Sequence, residues 1–176
     1  MYYRRILPVS IGICCVVASL LCGVIMLNRL IMKIDNTLLD ELTAQAQASP
    51  RLRMNYDLRD SAQDQSQRML NALEPGTELP IHRHRTTSET VAILRGRAVQ
   101  WLYDEQGNVT EKVMLAPIGA GCPVEPGMTE SDEGVPAMQV EKGQWHRLEC
   151  LESGTVILEF KDGPYVPIGA EDVMER

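Results

Sequence analysis

Three histidines and one glutamate in this 176-residue chain have the residue types and spacing that could hold a metal ion. His82 and His84 are two residues apart, so on a β-strand both imidazoles would point to the same side. Glu89 follows after four residues, which leaves room for a turn, and His146 begins a later strand-like segment. Three imidazoles and one carboxylate suit one divalent transition metal ion, and Fe, Mn, Zn and Ni are not distinguished by this donor set. The pattern therefore predicts a metal site formed by these four residues.

Short strand-like segments separated by Gly and Pro turns must position these side chains. From residue 67 onward the sequence predicts strands near 68–73, 79–84, 89–94, 98–103, 109–115, 137–141, 146–151 and 156–161. About eight short strands at this spacing indicate a sandwich or barrel. A helix is predicted before them. It is capped near Asn36 and ended by Pro50, and its apolar positions Leu38, Leu39, Leu42 and Ala46 recur at helical spacing. Residues 51–66 are polar and are expected to be irregular.

The spacing around the histidines resembles the first signature motif of the cupin superfamily. It reads Gly76-x5-His82-x-His84-x4-Glu89-x6-Gly96, with every fixed position filled. The second motif, usually Pro-x-Gly-x2-His-x3-Asn, is matched at Gly143 and His146, whereas Glu141 and Cys150 replace the proline and the asparagine. The resemblance implies a mainly β fold, a cupin barrel (double-stranded β-helix, or jelly roll) with an N-terminal helix. It also implies pairing into a homodimer, which is common among cupins.

A more specific resemblance extends over roughly residues 35–168. The segments Pro50-Arg51-Leu52-Arg53, 67–76 and Lys161-Asp162-Gly163-Pro164-Tyr165 are similar to those of the WbuC-type cupin fold metalloproteins. Members of that family often occur with O-antigen polysaccharide genes. The resemblance therefore implies one divalent metal ion and a small-molecule ligand, with carbohydrate as the class suggested, in surface polysaccharide (lipopolysaccharide) metabolism.

Two classes of function fit such a site. Four protein ligands on a six-coordinate ion leave two positions open, which suits a metal-dependent oxygenase or isomerase acting on a sugar or sugar derivative. The alternative is a non-catalytic ligand-binding or sensing module that uses the same metal, and a membrane tether would suit that role. Nucleic-acid binding is disfavoured, because residues from Met32 onward hold 14 basic and 24 acidic residues, a net charge of −10.

Residues 6–27 form an uncharged, apolar stretch long enough for a transmembrane helix. Three interpretations stay open: a single-pass membrane anchor, a cleaved signal peptide, or upstream sequence preceding a start at Met32, which would make the protein cytoplasmic. The chain is accordingly divided into an apolar segment (1–31), a helix with an irregular lead-in (32–66), the barrel (67–168) and a C-terminal tail (169–176).

Four further residues are candidates to line a pocket: Glu159, Tyr103, Arg68 and Asn71. On the last predicted strand, alternation favours a core face made of Val156, Leu158 and Phe160, which would leave Glu159 and Lys161 in solvent. Cys150 lies four residues beyond His146, roughly 13 Å along a strand, and is expected to be a buried thiol outside the metal site.

Overall fold

One helix and ten strands make up the part of the chain that the computed structural model describes, residues 31–119 and 134–174. Helix α1 spans Asn36–Ala48, and a short 3-10 helix, Ala170–Asp172, precedes the last strand. The strands are β1 (Arg53–Asp57), β2 (Ser66–Leu73), β3 (Ile81–His82), β4 (Glu89–Arg95), β5 (Ala98–Tyr103), β6 (Val109–Leu115), β7 (Ala137–Val140), β8 (Trp145–Cys150), β9 (Thr155–Asp162) and β10 (Val173–Met174).

The strands form two five-stranded antiparallel sheets. The first sheet has the order β1-β2-β9-β4-β7, and the second has the order β10-β3-β8-β5-β6. From β2 to β9 the chain alternates between the sheets except at the β5–β6 hairpin, and most strands pair with neighbours that are distant in sequence, as in a jelly roll. The predicted fold class, a cupin barrel with an N-terminal helix, is confirmed.

The apolar stretch at residues 6–27 lies outside the described residues. Among the helices of the described ranges, none is long and apolar enough to cross a bilayer. The anchor, the alternative start at Met32 and the homodimer remain predictions from the sequence.

The main core lies between the sheets and consists of the inward residues of both. It is a cluster of buried side chains, Leu73, Val91, Ile93, Ala98, Leu115, Leu148, Cys150 and Ile157. A second cluster lies on the outer face of the first sheet, where α1 covers β2 and β9 with Leu39, Leu42 and Ala46. Val156 belongs to this second cluster and is fully buried. Strand β9 is therefore apolar on its outer face, because a helix rather than water covers that face.

The expectation that Glu159 and Lys161 face solvent is wrong for this reason. Because Val156 and Leu158 pack towards α1, the alternate residues of β9 point into the barrel. Glu159 lines the barrel cavity, and Phe160 is on the outside with 37% exposure. Residues of β9 do alternate between two faces as predicted, but the face that carries Glu159 and Lys161 points inward instead of outward.

Two strands at the sheet edges were not predicted. Strand β1 falls in the segment expected to be irregular, and it pairs along its whole length with β2. Its sequence is polar and mostly exposed, so it has no apolar alternation to reveal it. Strand β10 falls in the expected tail and pairs with β3, with Val173 opposite His82 and Met174 opposite Ile81. Both corrections concern edge strands, which form through backbone pairing rather than burial.

Candidate metal centre

The turns and strands around the site bring its four residues together from distant parts of the sequence. His82 on β3 lies opposite His146 on β8, and Glu89 is the first residue of β4. His84 lies just beyond β3, where its carbonyl oxygen accepts a hydrogen bond of 2.7 Å from the Gly143 N–H. Gly143 has φ +83°, a left-handed conformation that favours glycine. The glycine of the second motif thus fixes the backbone of a histidine from the first.

The four side chains converge closely. One ligand atom from each of His82, His84, Glu89 and His146 lies within 4.8 Å of the others. The ring centroids of His82 and His146 are 4.3 Å apart, and those of His82 and His84 are 5.1 Å apart. Ligand atoms at about 2 Å from one ion are at most about 4 Å apart. Small side-chain rotations would therefore let all four share a single ion.

Backbone carbonyls fix the tautomers of two imidazoles. His82 Nδ1 lies 3.1 Å from the Pro80 carbonyl oxygen, and His146 Nδ1 lies 2.8 Å from that of Gln144. A carbonyl can only accept, so in the neutral ring each Nδ1 carries the hydrogen and each Nε2 keeps a lone pair. His146 Nε2 is buried and has no hydrogen-bond partner among the described residues. This arrangement fits a metal, because metal-binding histidines usually donate their other N–H to a carbonyl or carboxylate.

Burial and charge set the protonation states of three of the four candidate ligands, His82, His146 and Glu89. Burial, assisted by the nearby His146, lowers the pKa of His82 to about 4, and burial also lowers the pKa of His146. Burial alone would raise the pKa of Glu89, but hydrogen bonding from His84 and the charge of Lys161 outweigh it and lower that pKa. At neutral pH these groups are therefore two neutral imidazoles and a carboxylate, ready to donate electron pairs.

A polar network continues from Glu89 along the inside of β9. Lys161 Nζ lies 3.2 Å from Glu89 Oε2 and 2.5 Å from Glu159 Oε1. Glu159 Oε2 accepts a hydrogen bond of 3.1 Å from Asn71, whose own amide oxygen accepts one of 2.6 Å from Asn55. Burial and the charge of Glu89 raise the pKa of Glu159. Of the predicted pocket residues, Asn71 and Glu159 thus lie in the barrel interior with the four-residue cluster.

Tyr103 and Arg68 lie elsewhere, which corrects their assignment to the pocket. Tyr103 is buried with Ile81 and Trp145 in a separate cluster. Arg68 donates to the Leu58 carbonyl and to Asp64, which holds it at the outer side of β2. The sequence alternation of β2 and β5 does not say which face of each strand points into the cavity, because that depends on what covers each sheet.

Cys150 is a free, buried thiol that lies outside the cluster, as predicted. Its Sγ donates to the Leu73 carbonyl at 3.4 Å and to the Glu152 carbonyl at 3.1 Å. Burial raises the pKa of this thiol, so it remains protonated and is a poor metal ligand at neutral pH.

The C-terminal segment holds the short strand that carries His82. Asp172 accepts hydrogen bonds from Arg83 Nε at 3.0 Å and from Arg85 Nε at 2.5 Å, and the Asp172 carbonyl accepts one from the Arg83 N–H at 3.1 Å. These two arginines flank His84 and point away from the metal cluster. Strand β3 has only two residues, and β10 pairs with the edge that β8 leaves open. Residues 169–174 therefore act as a clamp on β3.

A cavity of about 580 Å³ opens beside the cluster and reaches His82, Glu89 and His146. Its wall is part apolar, with Leu73, Leu79, Val91, Leu148 and Ile157 contributing, and part polar or charged. The lining residues that the sequence did not single out as site residues include Gln100, Arg51 and Arg53. Gln100 gave no signal beyond its position in a strand, and the arginines lie in the segment taken to be irregular.

Part of the sequence matches a known family model, and the structure resembles several solved structures. Residues 34–115 match the family model of a domain of unknown function, DUF6016, and this range includes His82, His84 and Glu89 but ends before His146. No curated protein matches the chain.

Similar solved structures include KdgF from Halomonas sp., with 14% identity, coverage of 66% of this chain and 84% of that one, and a TM-score of 0.46. BH2720 from Bacillus halodurans has 14% identity, covers 82% of this chain and 89% of its own, and has a TM-score of 0.48. The oxalate decarboxylase of Bacillus subtilis, a protein with Mn(II) centres, has 16% identity and a TM-score of 0.45, and the match covers 70% of this chain and 27% of that one.

The lowered histidine pKa values predict that the metal-free protein loses stability in mildly acidic solution. Below the ordinary histidine pKa of about 6.5, the unfolded chain binds protons that buried His82 and His146 do not bind. The free energy of unfolding should fall between about pH 6.5 and 4.5, whereas the contribution of Glu89 is lost only below about pH 4.5. Urea denaturation of metal-free wild type and His82→Gln should show a shallower pH slope for the variant. Equal slopes would contradict this account.

The clamp predicts that Asp172→Ala loosens β3. Without the carboxylate that both Arg83 and Arg85 contact, backbone amides of residues 81–85 should exchange hydrogen several-fold faster, because the local opening free energy decreases. Hydrogen exchange followed by mass spectrometry measures this directly. Glu171→Ala is the matched control, since only the main-chain carbonyl of Glu171 contacts Arg85. Equal exchange in the two variants would show that the carboxylate is not what holds the strand.

Proposed function

We propose that this chain is a metal-dependent cupin protein in which His82, His84, Glu89 and His146 hold one divalent transition metal ion. The observation that carries the proposal is the convergence of four donor atoms within 4.8 Å inside the barrel, with two Nε2 lone pairs directed by backbone carbonyls. The cavity of about 580 Å³ beside them supports binding of a small molecule next to the ion.

The metal centre would serve a metalloenzyme, an oxygenase or isomerase acting on a sugar or sugar derivative. When bound, the ion supplies a Lewis acid that polarises a ligand oxygen. Apolar side chains on part of the cavity wall lower the local polarity beside the ion, which strengthens polar contacts made there. Lys161 forms an ion pair with Glu89 and a second one with Glu159. These contacts limit the rotation of the Glu89 carboxylate. A role in surface polysaccharide metabolism is supported by the resemblance to the WbuC-type proteins.

Metal content tests the first half of the proposal. Protein purified without an affinity metal should contain about one transition metal ion per chain by elemental analysis. His146→Gln should weaken metal affinity by at least about tenfold, because it replaces a nitrogen whose buried lone pair has no partner within the described part of the chain. Cys150→Ala is the control and should retain the ion, since its thiol lies outside the cluster. Wild type without a metal ion, or equal affinity in both variants, would contradict the proposed centre.

Turnover tests the second half. Metal-loaded wild type should consume dioxygen or form product with at least one sugar, sugar acid or sugar nucleotide, and the rate should fall at least about a hundredfold in His146→Gln. Dioxygen uptake and product analysis by mass spectrometry measure both reactions. A protein that retains its metal but converts none of these compounds would be the non-catalytic binding or sensing module instead.

A further inference from the structure

A buried glutamine, Gln100, faces the cavity. Gln100 lies on β5 opposite Leu148 of β8, and its side chain is 1% exposed. It lines the same cavity as His146, yet neither its amide nitrogen nor its amide oxygen has a hydrogen-bond partner among the described residues. A buried donor and acceptor without partners cost free energy that a bound polar group would recover. A hydroxyl group can accept from the nitrogen or donate to the oxygen, so hydroxyl-bearing ligands suit this site.

Two arginines, Arg51 and Arg53, line the more exposed part of the cavity. Within the described ranges, neither Arg51 nor Arg53 has a carboxylate oxygen within 4.0 Å of its guanidinium. Arg53 Nη1 donates to the Glu78 carbonyl oxygen at 2.6 Å, which orients that side chain but leaves its charge unpaired. Partial burial and the charge of Arg51 lower the pKa of Arg53. The two like charges thus lie close enough to repel each other, and an anion between them would remove that cost.

The other charged groups along the cavity wall are paired. Arg59 contacts Asp57 at 2.6 Å, and Glu159 contacts Lys161 at 2.5 Å. Glu89 belongs to the metal cluster. Although the whole chain has a net charge of −7, the cavity charges that lack an oppositely charged contact among the described residues are therefore positive and belong to Arg51 and Arg53. Guanidinium groups bind carboxylate and phosphate oxygens through paired N–H donors, which is the recognition that an isolated arginine pair can supply.

We propose that the cavity binds a small polyhydroxylated anion, with its hydroxyl groups hydrogen-bonded by Gln100 and its anionic group held by Arg51 and Arg53. The inference rests on the proposed function for the adjacent ion, but the three residues named here are not among the four metal ligands. A carboxylate, as in a hydroxy acid or sugar acid, and a phosphate, as in a sugar phosphate, offer the same chemistry to the arginines. The cavity volume of about 580 Å³ is within the range of small-molecule sites.

The experiment uses gluconate and glucose 6-phosphate as probes of the two anionic groups, and neutral glucitol as the uncharged comparison. Isothermal titration of the metal-loaded full chain should show binding of at least one of the two anions and at least tenfold weaker binding of glucitol. Gln100→Leu keeps the side-chain size and removes both amide atoms, and should weaken anion binding about 3- to 10-fold. The double variant Arg51→Gln/Arg53→Gln should weaken it at least tenfold.

Arg95→Gln is the matched control, because Arg95 is paired with Asp40 away from the cavity, and it should leave anion affinity within about twofold of wild type. Elemental analysis of each variant should give the wild-type metal content. The titrations are repeated after chelation, and the relative losses in the two variants should persist there. A wild-type protein without metal would contradict the proposed function but not the present inference. Absence of binding by both anions, equal binding of glucitol, or wild-type affinity in both cavity variants would overturn the present inference.

Discussion

Desolvation of ionisable groups is the constraint on which this barrel depends. Three imidazoles and a carboxylate are drawn out of water into a space walled by aliphatic side chains, where an uncompensated charge is costly. The structure meets this cost in two ways. Carbonyl oxygens of Pro80 and Gln144 satisfy one nitrogen of two imidazoles, and Lys161 balances the charge of Glu89. These carbonyl and lysine contacts also orient the remaining donor atoms of the histidines and of Glu89. The groups that offset the cost of burial therefore also fix the geometry of the site.

The edge strands follow from the same constraint. A two-residue strand such as β3 cannot hold a pair of buried imidazoles in place through its own backbone hydrogen bonds. It is paired with β8 on one side and β10 on the other, and Asp172 adds contacts to the arginines on either side of His84. The turn at Gly143 adds a further hydrogen bond to the His84 backbone. Precision at the cluster thus comes from backbone connections between segments that are far apart in sequence.

The metal-ligand candidates and the eight strands from β2 to β9 could be predicted because their information is local. Period-two spacing places His82 and His84 together, and apolar runs between turns mark the strands. The faces of β9 could not be assigned in this way, since Val156 and Leu158 are apolar both when they face a barrel interior and when they face a helix. The packing of α1 on the outer face of that sheet is a tertiary contact. It places Val156 and Leu158 on the outer face and therefore Glu159 on the inner face. Strands β1 and β10 were missed because exposed edge strands need no apolar pattern.

Gln100 illustrates a second kind of information that sequence does not carry. A polar residue between apolar neighbours on a central strand is compatible with a bulge, a surface position or a functional interior position. Its burial, at 1% exposure, and the lack of a hydrogen-bond partner for either amide atom among residues 31–119 and 134–174 distinguish the last of these. A chain selected for stability alone could place leucine there, since an apolar side chain of similar size avoids the desolvation cost. Retaining the carboxamide at the cavity wall therefore argues for a ligand that supplies its missing hydrogen bonds, and the unpaired arginines give that ligand its charge.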